Sequence, residues 1–130
     1  MARLRILGVR VERHAGRVAV AVSLGSDGEV ATGQVDRPAA DAEAPRVAAE
    51  ATLEALRQIA PVRTRWALEH AVVSAMTAGQ AVIVNVVLEV EDREEHLIGS
   101  ALSRSAPLEE AAAQAVLDAV GRRLGWLSRT

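Results

Sequence analysis

The chain has 130 residues, half of them hydrophobic and a quarter charged, with a net charge of −2 at neutral pH. By length this is one domain, residues 1–130, and the charge gives no field for holding nucleic acid or an anionic membrane. Cysteine is absent, which excludes disulfides, thiolate nucleophiles and thiolate metal sites.

The N-terminal residues run into a strand pattern with no signal-peptide hydrophobic region, and no apolar run approaches a membrane span. A soluble cytoplasmic protein is therefore expected. Leu4 to Glu12 alternates from Leu7 onward, and Arg13-His14-Ala15-Gly16 supplies a turn. Arg17 to Leu24 sets Val18, Val20, Val22 and Leu24 on one face, as a half-buried strand does. Gly25 to Gly28 is a hairpin loop by composition, and Glu29 to Val35 a shorter strand containing Gly33. Connections this short make an antiparallel meander.

Asp36 to Pro45 is a loop into a helix that starts near Asp41 or Ala44, with Pro45 tolerated in its first turn. Val47, Ala48, Ala51, Leu53, Ala55, Leu56 and Ile59 form a broad apolar face, and Pro61 ends the helix. The order then repeats. Ala67 to Thr77 reads as a strand, Ala78 to Gln80 as a turn, and Ala81 to Val90 as a strongly β-branched strand. Glu91 to Glu94 is a polar hairpin loop and Glu95 to Leu102 a strand with Gly99 placed much as Gly33 is. Ser105 can cap a helix with Pro107 in its first turn, running to about Leu124 before Gly125 stops it.

The two units, residues 3–61 and 66–125, correspond at an offset of 64. Ala49, Ala51, Leu53, Glu54, Ala55 and Leu56 fall on Ala113, Ala115, Leu117, Asp118, Ala119 and Val120. The same offset carries Val18, Val20, Val22 and Leu24 onto Val82, Val84, Val86 and Leu88, and Leu4 and Val9 onto Leu68 and Val73. An internal repeat sets the architecture: an α+β fold of two βββα repeats about a pseudo-two-fold, whose antiparallel three-stranded sheets can merge or pack, with both helices covering one face. Leu53 and Leu117 are then equivalent buried positions, equally intolerant of Asp. With no Phe or Tyr, and only Trp66 and Trp126 as large aromatics, the core is Val, Leu, Ile and Ala, each contact burying little area. A core of that kind gains from a second chain.

No catalytic constellation is visible. His14, His70 and His96 lack metal-ligand spacing, no GxSxG occurs, and the glycines form no phosphate-binding loop. Neither an enzyme, a cofactor nor a metal is expected. The run Glu89, Glu91, Asp92, Glu94, Glu95 reads as a solvated hairpin tip. Trp66 and Trp126, next to element ends, are candidates for a core lid or an interface plug. Gly33, Gly99 and Ser105 are candidate ligand-binding residues: a strand glycine near a helix N-terminus can admit a carboxylate. The alternative is that the glycines relieve crowding beneath the alanine-rich helices (Ala48, Ala51, Ala55; Ala112, Ala115, Ala119).

The second unit, with its Met76-Thr77-Ala78-Gly79 turn, Gly99 and the helix from Glu110 to Arg123, resembles the C-terminal regulatory domain of the 2-isopropylmalate and citramalate synthases. The resemblance implies two βββα units about a pseudo-two-fold, dimerisation, and binding of an amino-acid effector. It departs where that family has a polar Thr-Asp pair before its second helix, since Ala106 and Pro107 stand here. The αβββα order from Pro45 to Leu124 also matches a double-stranded-RNA-binding domain, but Pro107-Leu108-Glu109-Glu110 would repel phosphate. The expectation is a non-enzymatic domain that forms a homodimer or binds a protein partner through the helix pair or the edge strands. The alternative is a small-molecule sensor holding an amino acid or similar carboxylate between the repeats.

Overall fold

The computed structural model describes residues 4–60 and 63–127, with the backbone alone for residues 122 and 124–127. Its elements are β1 (Arg5–His14), β2 (Arg17–Ser26), β3 (Glu29–Pro38), a 3-10 turn (Asp41–Glu43), α1 (Ala44–Arg57), β4 (Thr64–Met76), β5 (Gly79–Val90), β6 (Arg93–Ser103) and α2 (Leu108–Leu127). The fold is α+β, a pair of βββα units with one antiparallel three-stranded sheet each, ordered β1-β2-β3 and β4-β5-β6. Two-residue loops set the hairpins. Asp27 and Gly28 both take positive φ (48° and 84°), as do Glu91 and Asp92 (49° and 65°), the backbone twist that matches a strand pair.

The two sheets do not merge. α1 lies on β2 and β3 and also touches β4; α2 lies on β5 and β6 and also touches β1; and the helices pack on each other. Of the two arrangements open to the sheets, merging and packing, the protein takes the second, with the helix pair lying between two separate sheets. The small residues explain this. Ala48, Ala49, Ala51, Ala55, Ala112, Ala113 and Ala115 are wholly buried on several sides of their helices, so each helix has close neighbours nearly all round. A polar stripe faces outward, Arg46, Glu50, Glu54 and Arg57 on α1, and Glu110, Gln114 and Asp118 on α2. Two ion pairs fasten α1 along that stripe. Arg37 on β3 forks onto both oxygens of Glu50 at 2.8 and 3.0 Å, and Arg46 meets the same carboxylate at 3.3 Å. The Glu50 hydrogen bonds raise the pKa of Arg37.

The repeat has a different register from the one that the letters suggest. The hairpin pair His14–Arg17 corresponds to Met76–Gly79, and the bulges fall at Leu7 and Glu69, so the first hairpins are offset by 62. Gly33 pairs with Val22 and Gly99 with Val84, which fits 62 for the central strands and makes the third strands offset by 66. The helices keep the offset of 64. The β5–β6 hairpin is longer than β2–β3 by two residues on each strand, and a shorter link into α2 recovers part of the difference. Val20, Val22 and Leu24 therefore match Val82, Val84 and Val86. A slip of two residues leaves every side chain on its original face, so alternation is blind to it.

Several strands are longer than expected, β3 running to Pro38 and β4 and β6 starting at Thr64 and Arg93, and three helix boundaries differ as well. α1 ends at Arg57, and Gln58, Ile59 and Ala60 turn away with their amides bonded to Ala55 and Leu56 carbonyls; Pro61 lies outside the described residues. α2 starts at Leu108, and the Pro107 carbonyl accepts from Glu110 and Ala111, so Ser105 sits two residues short of the cap position. Gly125 does not stop α2, which continues to Leu127.

Candidate functional site

The glycines come first, because the sequence singled them out as a ligand pocket. A Cβ on Gly33 would stand 2.1 Å from the Ala51 carbonyl oxygen and 2.3 Å from the Ala55 nitrogen; on Gly99 it would stand 2.1 Å from Ala115 O and 2.5 Å from Ala119 N. Each glycine thus lies under the middle of its helix, not at a helix N-terminus, and helix backbone fills the space where a carboxylate would sit. Ser105 is exposed in the bend between β6 and α2. The three residues do not assemble a pocket. The glycines relieve crowding, the other reading that the sequence offered.

Of the two readings of Trp66, core lid and interface plug, burial favours the first. It is 3 % exposed within the core, and its indole N–H donates to Thr64 Oγ1 at 3.1 Å. Its carbonyl accepts from Arg57 at the end of α1, which ties the first unit to the second. The Trp126 side chain lies outside the described residues.

The histidines are on strands. His14 stands 3.9 Å from Glu12 at the hairpin end of β1. His96 Nδ1 is 3.3 Å from Asn85 Oδ1, and the ring lies 3.6 and 3.7 Å from Glu69 and Glu94. Among the described residues no group of three or more His, Asp or Glu is placed to hold a metal ion, and no helix is long and apolar enough to cross a membrane.

What the sequence reading missed is the difference between the two outer sheet faces. Register assigns them. The first sheet presents, row by row, Gly8–Ser23–Thr32, Arg10–Ala21–Gln34 and Glu12–Ala19–Asp36. The matching rows of the second sheet are His70–Asn85–Ile98, Val72–Ile83–Ser100 and Ser74–Ala81–Leu102. Arg10 has become Val72, Ala21 has become Ile83, Thr32 has become Ile98 and Asp36 has become Leu102. At the edge, Glu12, Arg13 and His14 have become Ser74, Ala75 and Met76. On the second sheet Ile98 is 63 % exposed, Met76 56 % and Val72 52 %, with Ile83 and Leu102 also exposed. The first face carries instead a shallow polar hollow of about 160 Å³ above Ala19 and Ala21, rimmed by Arg10, Glu12, Thr32 and Gln34.

The two sheets share one scaffold, so the first is an internal control for the second. Burying the helices requires Val or Leu on the inner face of each. It does not require them outside at the rows of Ala19, Ala21 and Ser23; the exposed Leu7 and Val30 of the first sheet lie beside Gly25, away from those rows. A signal for this was present in the letters. β5 reads Ala-Val-Ile-Val-Asn-Val-Val-Leu, apolar at both parities, whereas β2 alternates Val with Ala and Ser. A strand apolar on both faces is one covered on both faces.

The outer edges of both sheets are closed by helix side chains. Gln58 Nε2 donates to the Thr32 carbonyl on β3 at 2.6 Å, and the Ser100 amide on β6 donates to Asp118 Oδ2 at 3.0 Å. On the β1 side, Arg13 donates to Glu109 of α2 at 2.9 Å. A scan against protein-family models gives no match, and a search of curated proteins finds no relative.

Proposed function

We propose that the protein is a non-enzymatic association domain that binds another polypeptide through the outer face of β4-β5-β6. The observation that carries this reading is the divergence at matched positions: charged or small residues on the first sheet are replaced by Val72, Ile83, Ile98 and Leu102 on the second. Exposed aliphatic side chains cost solubility, and a contiguous patch of them is a mark of an interaction surface. The dimerisation implied by the resemblance to the synthase regulatory domain points the same way.

The test is a matched pair of substitutions. Ile83→Glu and its first-sheet counterpart Ala21→Glu place the same charge at the same point of the same scaffold. With the native circular dichroism spectrum retained by both, Ile83→Glu is expected to abolish association and Ala21→Glu to leave it intact. Equal effects of the two would overturn the reading.

A further inference from the structure

We infer that the polypeptide bound at the second sheet is an extended, uncharged segment of another protein, added as a fourth strand along β4 from Ala71 to Ala75. The inference rests on the reading of that sheet as a binding surface, and assigns the main-chain contacts to its edge.

Two three-stranded sheets have four edges, and helix side chains close three of them. Gln58 serves β3, Asp118 serves β6, and on β1 Arg13 meets Glu109 at 2.9 Å and Asp41 at 3.8 Å. On β4, Arg57 reaches only the carbonyl of Trp66, near the start of the strand. Among the described residues no bond from outside the sheet reaches Ala71 to Ala75. The repeat shows what is missing. At matched positions Arg13, Glu109 and Asp41 correspond to Ala75, Pro45 and Ser105, and none of these can make the strap.

Register identifies the open groups. Met76 and Gly79 close a two-residue loop, so they exchange both main-chain bonds. Counting back from Met76, Ser74 and Val72 also bond to β5. Ala71, Val73 and Ala75 therefore turn their N–H and C=O outward, and a row of such groups is a template for another strand. What satisfies it is an extended main chain.

The side chains select the kind of strand. No residue from Ala71 to Leu88 carries a charge, whereas the matching stretch of β1 is Val9-Arg10-Val11-Glu12-Arg13. Val72 is 52 % exposed on the outer side of β4 and Val73 38 % exposed on the other. An added strand thus meets apolar neighbours on both sides, and a charge on it would be desolvated without a partner. Its residues are aliphatic or small at both parities. A second copy pairing β4 on β4 about Val73 sets His70 against Met76 and the bulge at Glu69 against the turn at Thr77, so that pairing has no room to extend. A separate segment is not confined in this way.

The probe is a fluorescent synthetic peptide of the β5 residues, Ala81 to Leu88, N-methylated at alternate amides so that only one of its edges can pair. It is titrated against the full chain and followed by anisotropy and amide exchange. Saturable binding is expected, with slower exchange at Ala71, Val73 and Ala75 and no change at Val72 and Ser74, which are already bonded within the sheet. Ala75→Arg restores the residue of the first unit, and Val73→Pro removes an outward N–H but no bond of the sheet. Each, with its circular dichroism spectrum unchanged, should weaken the peptide about tenfold or more, and Ala21→Glu should not.

Failure of the peptide to bind at millimolar concentration overturns the strand addition; the function proposed for the face then stands or falls separately, on the Ile83→Glu and Ala21→Glu pair. Binding that ignores Ala75→Arg and Val73→Pro but is lost with Ile83→Glu lays the peptide across the face, which overturns the edge and leaves that function standing. A wild type that is a dimer in sedimentation, protects the three amides without peptide and loses both properties with Val73→Pro has its edge filled by a second copy. That result overturns another protein as the occupant.

Discussion

The absent Cβ of Gly33 would lie 2.1 Å from the carbonyl oxygen of Ala51, and that of Gly99 the same distance from the carbonyl oxygen of Ala115. The repeat has kept one contact twice, strand backbone against helix backbone with no side chain between. Real Cβ atoms do not approach so closely, so substitution demands that the helix lift from the sheet. Gly33→Ala and Gly99→Ala are each expected to destabilise the fold by about 3 kcal/mol or more, a core overpacking in which the obstacle is backbone. Urea denaturation measures it, and a loss below about 1 kcal/mol at either site would show that the seat is looser than the coordinates place it.

Leu53 and Leu117 occupy matched helix positions but are not equally buried. Leu53 is 1 % exposed, whereas Leu117 is half-buried at the border of the core. Leu53→Ala should cost about 3 kcal/mol and Leu117→Ala about half as much, in proportion to apolar area removed from water. Equal costs, as the repeat alone predicts, would contradict this.

Thr52 is a wholly buried polar residue whose Oγ1 donates to the Ala48 carbonyl at 2.8 Å, one turn back in its own helix. The corresponding residue of α2 is Val116, also wholly buried. A hydroxyl that bonds only to a carbonyl already engaged in the helix contributes little, and Val has the same shape. Thr52→Val is therefore expected to lie within about 1 kcal/mol of the wild type and on the stabilising side. A thermal melt showing clear destabilisation would reveal a second role for the hydroxyl.

Asp118 closes the free edge of β6 by accepting from the Ser100 amide. Asp118→Ala removes a charge-assisted hydrogen bond at an exposed site and leaves an edge amide open. The expected cost is about 1 kcal/mol, together with faster amide exchange at Ser100. Unaltered exchange at Ser100 would sink the assignment.

Much of this architecture is local and so was legible without coordinates. The alternation of Val18, Val20, Val22 and Leu24, the stripe through Val47, Ala51 and Ala55, and the glycine-bearing turns each act within a few residues, and together they dictate βββα twice. Three things escaped that reading. The true offset of 62 in the first hairpins was hidden, because a two-residue slip preserves the inside and outside of a strand and only the Leu7 and Glu69 bulges reveal it. The carboxylate pocket at Gly33, Gly99 and Ser105 was plausible by spacing, yet depended on where along each helix the glycines would lie. Which of its two offered places Trp66 takes, core lid or interface plug, depended on the packing of the units and is the core.

The amino-acid sequence by itself determined the elements, their order and the inner face of every central strand, because those follow from periodicity and short connections. Only the tertiary structure decided that the sheets enclose the helices instead of joining. Wholly buried alanines on several sides of each helix call for neighbours on both flanks, and a second sheet supplies them. That layering fixes which strand faces remain outside. It turns Ile83, Ile98 and Leu102 from unremarkable strand residues into an exposed surface where the first unit, built on the same plan, has Ala21, Thr32 and Asp36.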